Sequence, residues 1–291
     1  MSTLIQYCTH ASLYDGPFDS KVGWAAAGMG YILAGETGRL VVIDGGHPDD
    51  AADFLALLES LTPVRPVPVD LWILTHPHGD HYGALLAIAD APDLASRLSL
   101  HTLAYRFPDE FRDRKGGSIA YALRDMEKIR SVTGAAVHTP SIGDSVSIDG
   151  MTFTVLYAPE DCTPLDNPNQ LSLIFTVQTS RQPAVRQPAV RQKILFTGDA
   201  YRNTMQYVVD HTPDALPCDI LQLPHHGLCD TGNAEFYRLA DASAVLVPIS
   251  IAGDRTMHSD LYGDAPLVNR WAEDHASAVY KAFAGTLRLE I

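Results

Sequence analysis

Four side chains that can bind a metal ion lie within six residues of one another, at His76, His78, Asp80 and His81. They follow the apolar run 69–74, which predicts a buried strand. If these groups only packed against protein, each imidazole and carboxylate would need its own polar partner. Convergence on cations satisfies them together, because imidazole suits zinc and iron and a carboxylate can complete the ligand set. The cluster therefore predicts a metal site.

Two later motifs also place polar side chains at the ends of apolar runs. Asp199 follows the run 193–197 through a single glycine, and a carboxylate there could hold two metal ions about 3.5–4 Å apart. His225 and His226 follow the run 219–223. Consecutive residues on a strand point to opposite faces, so the two histidines are not expected to bind the same ion. We predict His225 as the ligand, with His226 as the alternative ligand or as a substrate-binding group.

The order H-x-H-x-D-H, then G-D, then P-H-H-G resembles the metallo-β-lactamase superfamily. The resemblance implies an α/β fold, a four-layer αββα sandwich. It also implies two divalent metal ions, zinc in the first place and manganese or iron as alternatives. The implied metal ligands are His76 and His78 for one ion, Asp80, His81 and His225 for the other, and Asp199 as the bridge.

Asp44 begins an early D-G-G sequence that resembles the family's D-x-G strand end, whose aspartate supports the metal loop. Such partners orient the ligating imidazoles and fix their tautomers. The chain departs from the family between the first cluster and the bridging aspartate. Many members supply another histidine there from a P-G-H-T-like motif, whereas residues 158–163 read A-P-E-D-C-T. Water, substrate or Asp161 would then complete the first metal's ligand set.

The segment 169–172, read as N-x-x-S, resembles one branch of the superfamily. That branch contains the hydrolase-like domain of the DNA-uptake channel proteins and bacterial phosphorylcholine esterase. His258 falls where the branch often carries a late histidine, and it is a candidate for a general acid or a phosphate-binding group. The branch implies a phosphoester or phosphodiester substrate.

The implied mechanism is hydrolysis by a water whose pKa two metal ions lower toward about 7. Asp80 would orient this nucleophile, and His226 or His258 would protonate the leaving group. Three alternatives stay open: an enzyme that cleaves a lactone, thioester or other carboxylic ester, a nuclease, and a metal-binding protein with a degenerate site. The intact ligand motifs argue against the last of these.

Composition narrows the class of substrate. The chain has 291 residues, 46% hydrophobic content and a net charge of −14, which suits a folded enzyme and disfavours an extended nucleic-acid surface. We expect a small, anionic substrate bound at the metals. The four cysteines show no C-x-x-C spacing, and no signal peptide or membrane-spanning run is evident. A cytoplasmic location is predicted, and the oligomeric state is left open.

We predict one domain over residues 1–291, with a Pro/Arg/Gln repeat loop at 181–192. Hydrophobic periodicity and turn residues predict the other elements. The predicted strands are 30–34, 40–43, 69–74, 98–103, 146–148, 151–157, 171–179, 193–197, 219–223, 244–248 and 287–291, and the predicted helices are 50–61, 81–89, 118–132, 234–240 and 266–274.

Overall fold

The structure is a computed structural model that describes residues 2–18, 27–108, 118–159, 167–180, 191–228, 232–257 and 267–291. Within these ranges the strands form two seven-stranded sheets. The first sheet contains β1 (Thr3–Gln6), β2 (Gly30–Ala34), β3 (Leu40–Asp44), β4 (Val67–Ile73), β5 (Leu98–Ala104), β6 (Ala136–His138) and β14 (Leu287–Glu290). Its spatial order is β14-β1-β2-β3-β4-β5-β6, with parallel pairing from β3 to β6.

The second sheet has the order β13-β12-β11-β10-β9-β8-β7, where parallel pairing joins β10 to β13. Its strands are β7 (Ser145–Ile148), β8 (Met151–Tyr157), β9 (Ile174–Ser180), β10 (Arg191–Phe196), β11 (Ile220–Gln222), β12 (Ala244–Val247) and β13 (Ala278–Lys281). The helices are α1 (Ala51–Ser60), α2 (Gly79–Asp90), α3 (Pro92–Ala95), α4 (Ser118–Thr133), α5 (Arg202–His211), α6 (Ala234–Ala240), α7 (Ile251–Met257) and α8 (Leu267–His275).

Three apolar layers hold these elements together. One lies between the sheets and includes Ile43 and Phe196. A second joins the first sheet to α1, α2 and α4, and a third joins the second sheet to α5, α6, α7 and α8. Each sheet therefore buries both faces, which explains why its parallel strands read as continuous apolar runs. The predicted αββα sandwich is confirmed.

Most predicted elements are present with shifted ends. The helix predicted from His81 begins at Gly79, so it includes Asp80 in its first turn. The strand predicted from Leu171 begins at Ile174, because residues 168–171 form a short 3₁₀ helix. The sequence analysis did not predict β1, β6, β13, α3, α5 or α7, which are short or carry mixed polar and apolar residues. In the described part of the chain, no helix is long and apolar enough to cross a membrane.

The predicted loop at 181–192 is flanked by a confirmed strand pair. Ser180 of β9 lies opposite Arg191 of β10, so Arg191 and Gln192 belong to a strand and not to the loop. Residues 181–190 lie outside the described residues, as do Asp161 and His258. The single-domain prediction stays a prediction.

The metal motifs lie together because of the topology. The runs that precede them end at the carboxyl ends of β3, β4, β10 and β11, which are the strand ends where α/β sheets place ligands. Asp44, the 74–81 loop, Asp199 and the 224–227 turn thus meet at one end of the sandwich. This placement comes from strand order and not from proximity in sequence.

One side chain joins the tips of two hairpins from different sheets. Asp149 lies in the β7–β8 turn with a φ of 49°, and its Oδ2 accepts hydrogen bonds from the backbone N–H of Thr37 at 2.8 Å and of Arg39 at 3.3 Å. Its carboxylate thereby satisfies two donors in the β2–β3 turn of the other sheet.

We expect Asp149→Ala to lower the free energy of unfolding by about 1 kcal/mol or somewhat more, because two donors lose their acceptor and alanine disfavours a positive φ. Asp149→Asn keeps an acceptor oxygen and tolerates this backbone, so it should cost less than half as much. Urea denaturation measures both values. Equal losses for the two variants would contradict this role of the side chain.

Candidate metal centre

The first motif spans a strand, a loop and a helix start. β4 ends at Ile73, and α2 begins at Gly79 after His78 adopts an extended backbone conformation. His76 and His78 therefore lie on the loop, and Asp80 on the first turn of α2. His76 Nε2 lies 3.0 Å from His78 Nδ1, and the two rings are nearly perpendicular. This pair of nitrogens faces a common point.

The buried carboxylate of Asp44 holds the 74–81 loop in place through hydrogen bonds. Asp44 is the last residue of β3, and its backbone has a φ of 54°. Oδ1 accepts from the Thr75 N–H at 2.9 Å, and Oδ2 accepts from the Thr75 hydroxyl at 2.8 Å. Oδ2 also lies 2.9 Å from His81 Nδ1. The proton on Nδ1 is thereby fixed toward Asp44, which leaves Nε2 of His81 available to a metal ion.

Asp199 reaches the centre through a tight turn after β10. Gly198 has a φ of 54°, and a Cβ at this position would lie 2.9 Å from the Thr75 Cβ. Only glycine therefore allows this approach without displacement. The side chain of Gln222 accepts from the N–H groups of Thr197 and Gly198, and the Asp199 N–H donates to Ser172 Oγ at 3.0 Å. These buried bonds fix the position of the carboxylate.

The turn after β11 decides between the two adjacent histidines. His225, His226 and Gly227 all have positive φ values, of 49°, 58° and 74°. Because they are not part of a strand, the rule that neighbours point to opposite faces does not apply to them. His226 Nε2 lies 3.2 Å from Asp80 Oδ2 and 3.4 Å from Asp199 Oδ2, whereas Nδ1 lies 3.0 Å from the Pro248 carbonyl oxygen.

His225 occupies a different place from the one the sequence favoured. Its ring lies against Tyr201, at 5.5 Å between ring centroids, and its Nδ1 is buried without a hydrogen-bond partner. The alternative that the sequence analysis left open, His226 as the ligand, is the arrangement that the geometry favours. The backbone N–H of His225 donates to the Gly198 carbonyl at 3.1 Å and so ties this turn to the Asp199 turn.

The structure thus brings together two groups of possible ligand atoms that share Asp199. Within each group the atoms lie within 4.8 Å of one another. A metal ion about 2.0–2.2 Å from each nitrogen or oxygen would draw such atoms slightly closer. The first group is His76, His78 and Asp199, and the second is Asp80, His81, Asp199 and His226.

Orphaned polar atoms show that the residues fit a metal ion. His81 Nε2, His226 Nε2 and Asp199 Oδ1 are buried and have no hydrogen-bond partner in the described residues. Leaving such atoms unsatisfied costs about 1–3 kcal/mol each. Nε2 of His81 lies 3.3 Å from Asp199 Oδ2, and Nε2 of His226 lies 3.4 Å from the same oxygen. Nitrogen and oxygen donors of this kind suit zinc, iron or manganese.

The buried carboxylates and imidazoles shift one another's pKa values in the metal-free protein. Burial lowers the pKa of His226, but Asp199 and then Asp80 outweigh it and raise the value to about 9. Burial likewise opposes protonation of His81, yet Asp199, Asp44 and Asp80 raise its pKa well above its usual range. For Asp199, burial favours the neutral form, but His226, His81 and His76 lower the pKa. The shared cause of these shifts is attraction between the imidazolium and carboxylate forms, which favours protonated His81 and His226 beside ionised Asp199 when no metal is bound.

Three supporting residues were not identified from sequence. Thr75 directly precedes the H-x-H-x-D-H motif, but the contacts that its hydroxyl and N–H make with Asp44 form only in the fold. Gln222 is fully buried in an otherwise apolar strand. A single amide in an apolar run is the sequence feature that could have indicated its role. Ser172 was quoted in a branch motif without a role, which the structure gives it as the acceptor for the Asp199 N–H.

Comparisons with known proteins agree with this geometry. The family model of the metallo-β-lactamase superfamily matches residues 27–161. No curated protein sequence matches the chain. Similar solved structures include the metallo-β-lactamase fold protein YhfI from Bacillus subtilis, with 15% identity, a TM-score of 0.53, and coverage of 99% of this chain and 100% of that one.

Two further solved structures show the same fold at low identity. A diphosphatase of the PhnP family is 14% identical, with a TM-score of 0.51 and coverage of 100% of this chain and 98% of that one. CmlA, a diiron β-hydroxylase from Streptomyces venezuelae, is 12% identical, with a TM-score of 0.53, and the match covers 99% of this chain and 54% of that one. The family model and the shared fold confirm the resemblance at the level of the superfamily.

Metal binding should release protons and strengthen as the pH rises. A metal at Asp80, His81, Asp199 and His226 requires neutral imidazoles, whereas in the metal-free protein the pKa of His226 is raised to about 9 and that of His81 is raised well above its usual range. We expect release of close to two protons per ion at this group near neutral pH.

Isothermal titration of zinc into metal-free protein, repeated in buffers with different ionisation heats, measures this release. The affinity should increase from pH 6 to pH 8. An affinity that does not change over this range, with no proton release, would contradict the assignment of both histidines as ligands.

Proposed function

We propose that this chain, a member of the metallo-β-lactamase superfamily, is a metal-dependent hydrolase with a dinuclear centre that acts on a phosphoester or phosphodiester. The observation that carries the proposal is the pair of ligand groups joined at Asp199, with orphaned nitrogens and oxygens directed between them. A hydrolase of this type needs two ions held a few ångströms apart, and a shared carboxylate supports that spacing.

Each ligand has a proposed role. His76, His78 and Asp199 would hold the first ion, and Asp80, His81, Asp199 and His226 would hold the second. His226 thus replaces His225 in the set proposed from sequence. Bound metal ions would supply a water of lowered pKa and would stabilise negative charge on the reacting oxygens.

The protein's own groups would orient the reaction. Asp80 is partly exposed, with 13% of its side chain accessible, whereas Asp199 is almost fully buried. Asp80 can therefore accept a hydrogen bond from the attacking water as well as bind metal. Burial lowers the pKa of His225, so its imidazole is neutral near pH 7. It can then donate or accept a hydrogen bond at the substrate's leaving group, a task that the sequence analysis gave to His226 or His258.

The first ion has a smaller ligand set than the second. The described residues supply two imidazoles and the shared carboxylate, with no third histidine in this group. An open coordination position suits binding of an anionic substrate oxygen. This supports a phosphoester, which presents such oxygens, over a carboxylic ester, lactone or thioester. A PhnP-family diphosphatase shares the fold, although one fold can host many reactions.

Other parts of the account stay predictions. Zinc is our first choice of metal, and the diiron centre named for CmlA keeps iron as an alternative. The substrate is expected to be small and anionic, without an extended nucleic-acid surface. Membership of the phosphorylcholine esterase branch and a cytoplasmic location stay predictions.

Asp199→Asn should abolish hydrolysis while the protein stays folded. A neutral amide cannot bridge two cations as a carboxylate does, so we expect turnover of bis(p-nitrophenyl) phosphate or p-nitrophenyl phosphate to fall by at least about 100-fold. The matched control is Asp149→Asn, which makes the same chemical change on the far hairpin turn. It should keep full turnover.

Release of p-nitrophenolate, with circular dichroism as the check of folding, measures both variants. Unchanged turnover in Asp199→Asn would overturn the dinuclear proposal. If the wild type hydrolyses only lactones or thioesters in a parallel panel, the phosphoester assignment is wrong while the metal centre stands.

A further inference from the structure

A cavity of about 460 Å³ lies between the two sheets, at the edge where β6 and β7 end them. This volume is within the range of about 300–1,000 Å³ that is usual for small-molecule pockets. Its described lining contains none of the proposed metal ligands. The apolar lining comes from β4 and β5 on one side and from β7, β8 and β9 on the other, and it includes Leu71, Ile73, Ala104, Ile148, Phe153, Val155, Leu173 and Phe175.

The apolar surface continues outside the cavity. Val146 lines the cavity and is 44% exposed, and Ile142 lies in the adjoining loop and is 38% exposed. Val146 lies opposite Phe153, another lining residue, in the β7–β8 pair, so its side chain faces the space between the sheets. This exposed apolar side chain in the lining marks an entrance for an apolar molecule.

The shape of the space selects a thin occupant. Packed sheets lie about 10 Å apart, so the layer between them admits one alkyl chain or one flat ring system but not a folded partner. Residues from the inner faces of both sheets line the cavity, which places it within this layer. A small molecule thus fits the space better than a docked protein surface does.

The polar groups at the rim disfavour an anion. Asp144 lies 3.7 Å from His138 and accepts from the Ser141 N–H at 2.8 Å, and Asp70 is paired with Arg39. Arg106 also lies at the rim, where its guanidinium donates to the Pro140 carbonyl at 3.2 Å and to the Ser141 hydroxyl at 3.3 Å. Asp144 is the lining carboxylate without an arginine partner among these contacts, and together with the net charge of −14 it disfavours an anionic ligand. A neutral hydroxyl could instead donate a hydrogen bond to Asp144.

We propose that this cavity binds a neutral apolar small molecule of the long-chain alcohol type, with its chain between the sheets and its hydroxyl at the β6–β7 rim. The site is separate from the metal centre, so binding requires neither metal ions nor catalytic activity.

Titration of decan-1-ol into the wild-type protein, followed by calorimetry, tests the proposal. We expect saturable binding of one molecule per chain, with decanoate weaker by at least about tenfold. Val146→Trp covers the rim and should weaken decanol binding by a similar factor. The matched control is Val279→Trp: Val279 is 37% exposed on β13, the edge strand at the opposite side of the same sheet, and this variant should bind within about twofold of wild type.

A second variant tests the interior of the cavity. Ala104→Leu adds side-chain volume to the space, so it should weaken decanol binding by at least about tenfold, and its thermal midpoint should not fall because the added atoms enter a void. Absence of saturable binding to the wild type, or equal binding by the two tryptophan variants, would overturn the proposal. So would a Val146→Trp protein that changes its sedimentation coefficient but not its decanol affinity, since the surface would then serve self-association.

Discussion

The arrangement depends on one electrostatic constraint, the burial of the Asp199 carboxylate among imidazole rings. A charged carboxylate removed from water is costly unless cations or hydrogen bonds surround it. His76, His81 and His226 each place a ring nitrogen within 3.6 Å of its Oδ2. Protons on two of these rings balance the charge in the metal-free protein, and metal ions would do so in the loaded protein. The same contacts thus serve stability and metal binding.

Left-handed backbone conformations make this convergence geometrically possible. Asp44, Gly198, His225 and His226 all have positive φ values, and each lies just after a strand that leads into the site. Non-glycine residues in this region cost about 1–3 kcal/mol each and persist where the surroundings fix them. Buried hydrogen bonds made by Thr75, Gln222 and Ser172 hold the Asp44 and Asp199 turns in place. Three of the five non-glycine residues with positive φ in the described part of the chain, Asp44, His225 and His226, therefore lie at the centre.

Sequence alone predicted the motifs and the layers better than the details of the turns. In the runs before Thr75 and Thr197, apolar residues occupy positions on both faces of the strand. These runs therefore predicted buried strands and correctly placed the motifs at strand ends. The prediction of His225 over His226 as the ligand assumed that the two residues lie on a strand. The chain instead makes a left-handed turn there. Local pattern does not encode such a turn without its tertiary partners, here the Gly198 and Pro248 carbonyls.

Short or mixed elements were missed for a related reason. β1 is four residues long, and its place in the sheet comes from pairing with β2 and β14, which are distant in sequence. The helix α5 begins shortly after the Asp199 turn, and its buried face contains few apolar residues, Met205, Val208 and Val209, so its pattern is weak in sequence. The edge cavity was also invisible in sequence, because it results from how the two sheets meet.

The central claim is that His226, and not His225, completes a two-metal centre. The most direct measurement is the transition-metal content per chain, by elemental analysis of protein purified without chelator or affinity-tag metal, for the wild type, His226→Ala and His225→Ala. We predict two ions per chain in the wild type and in His225→Ala, and no more than one in His226→Ala. One ion or none in the wild type, or a greater loss in His225→Ala than in His226→Ala, would contradict the account.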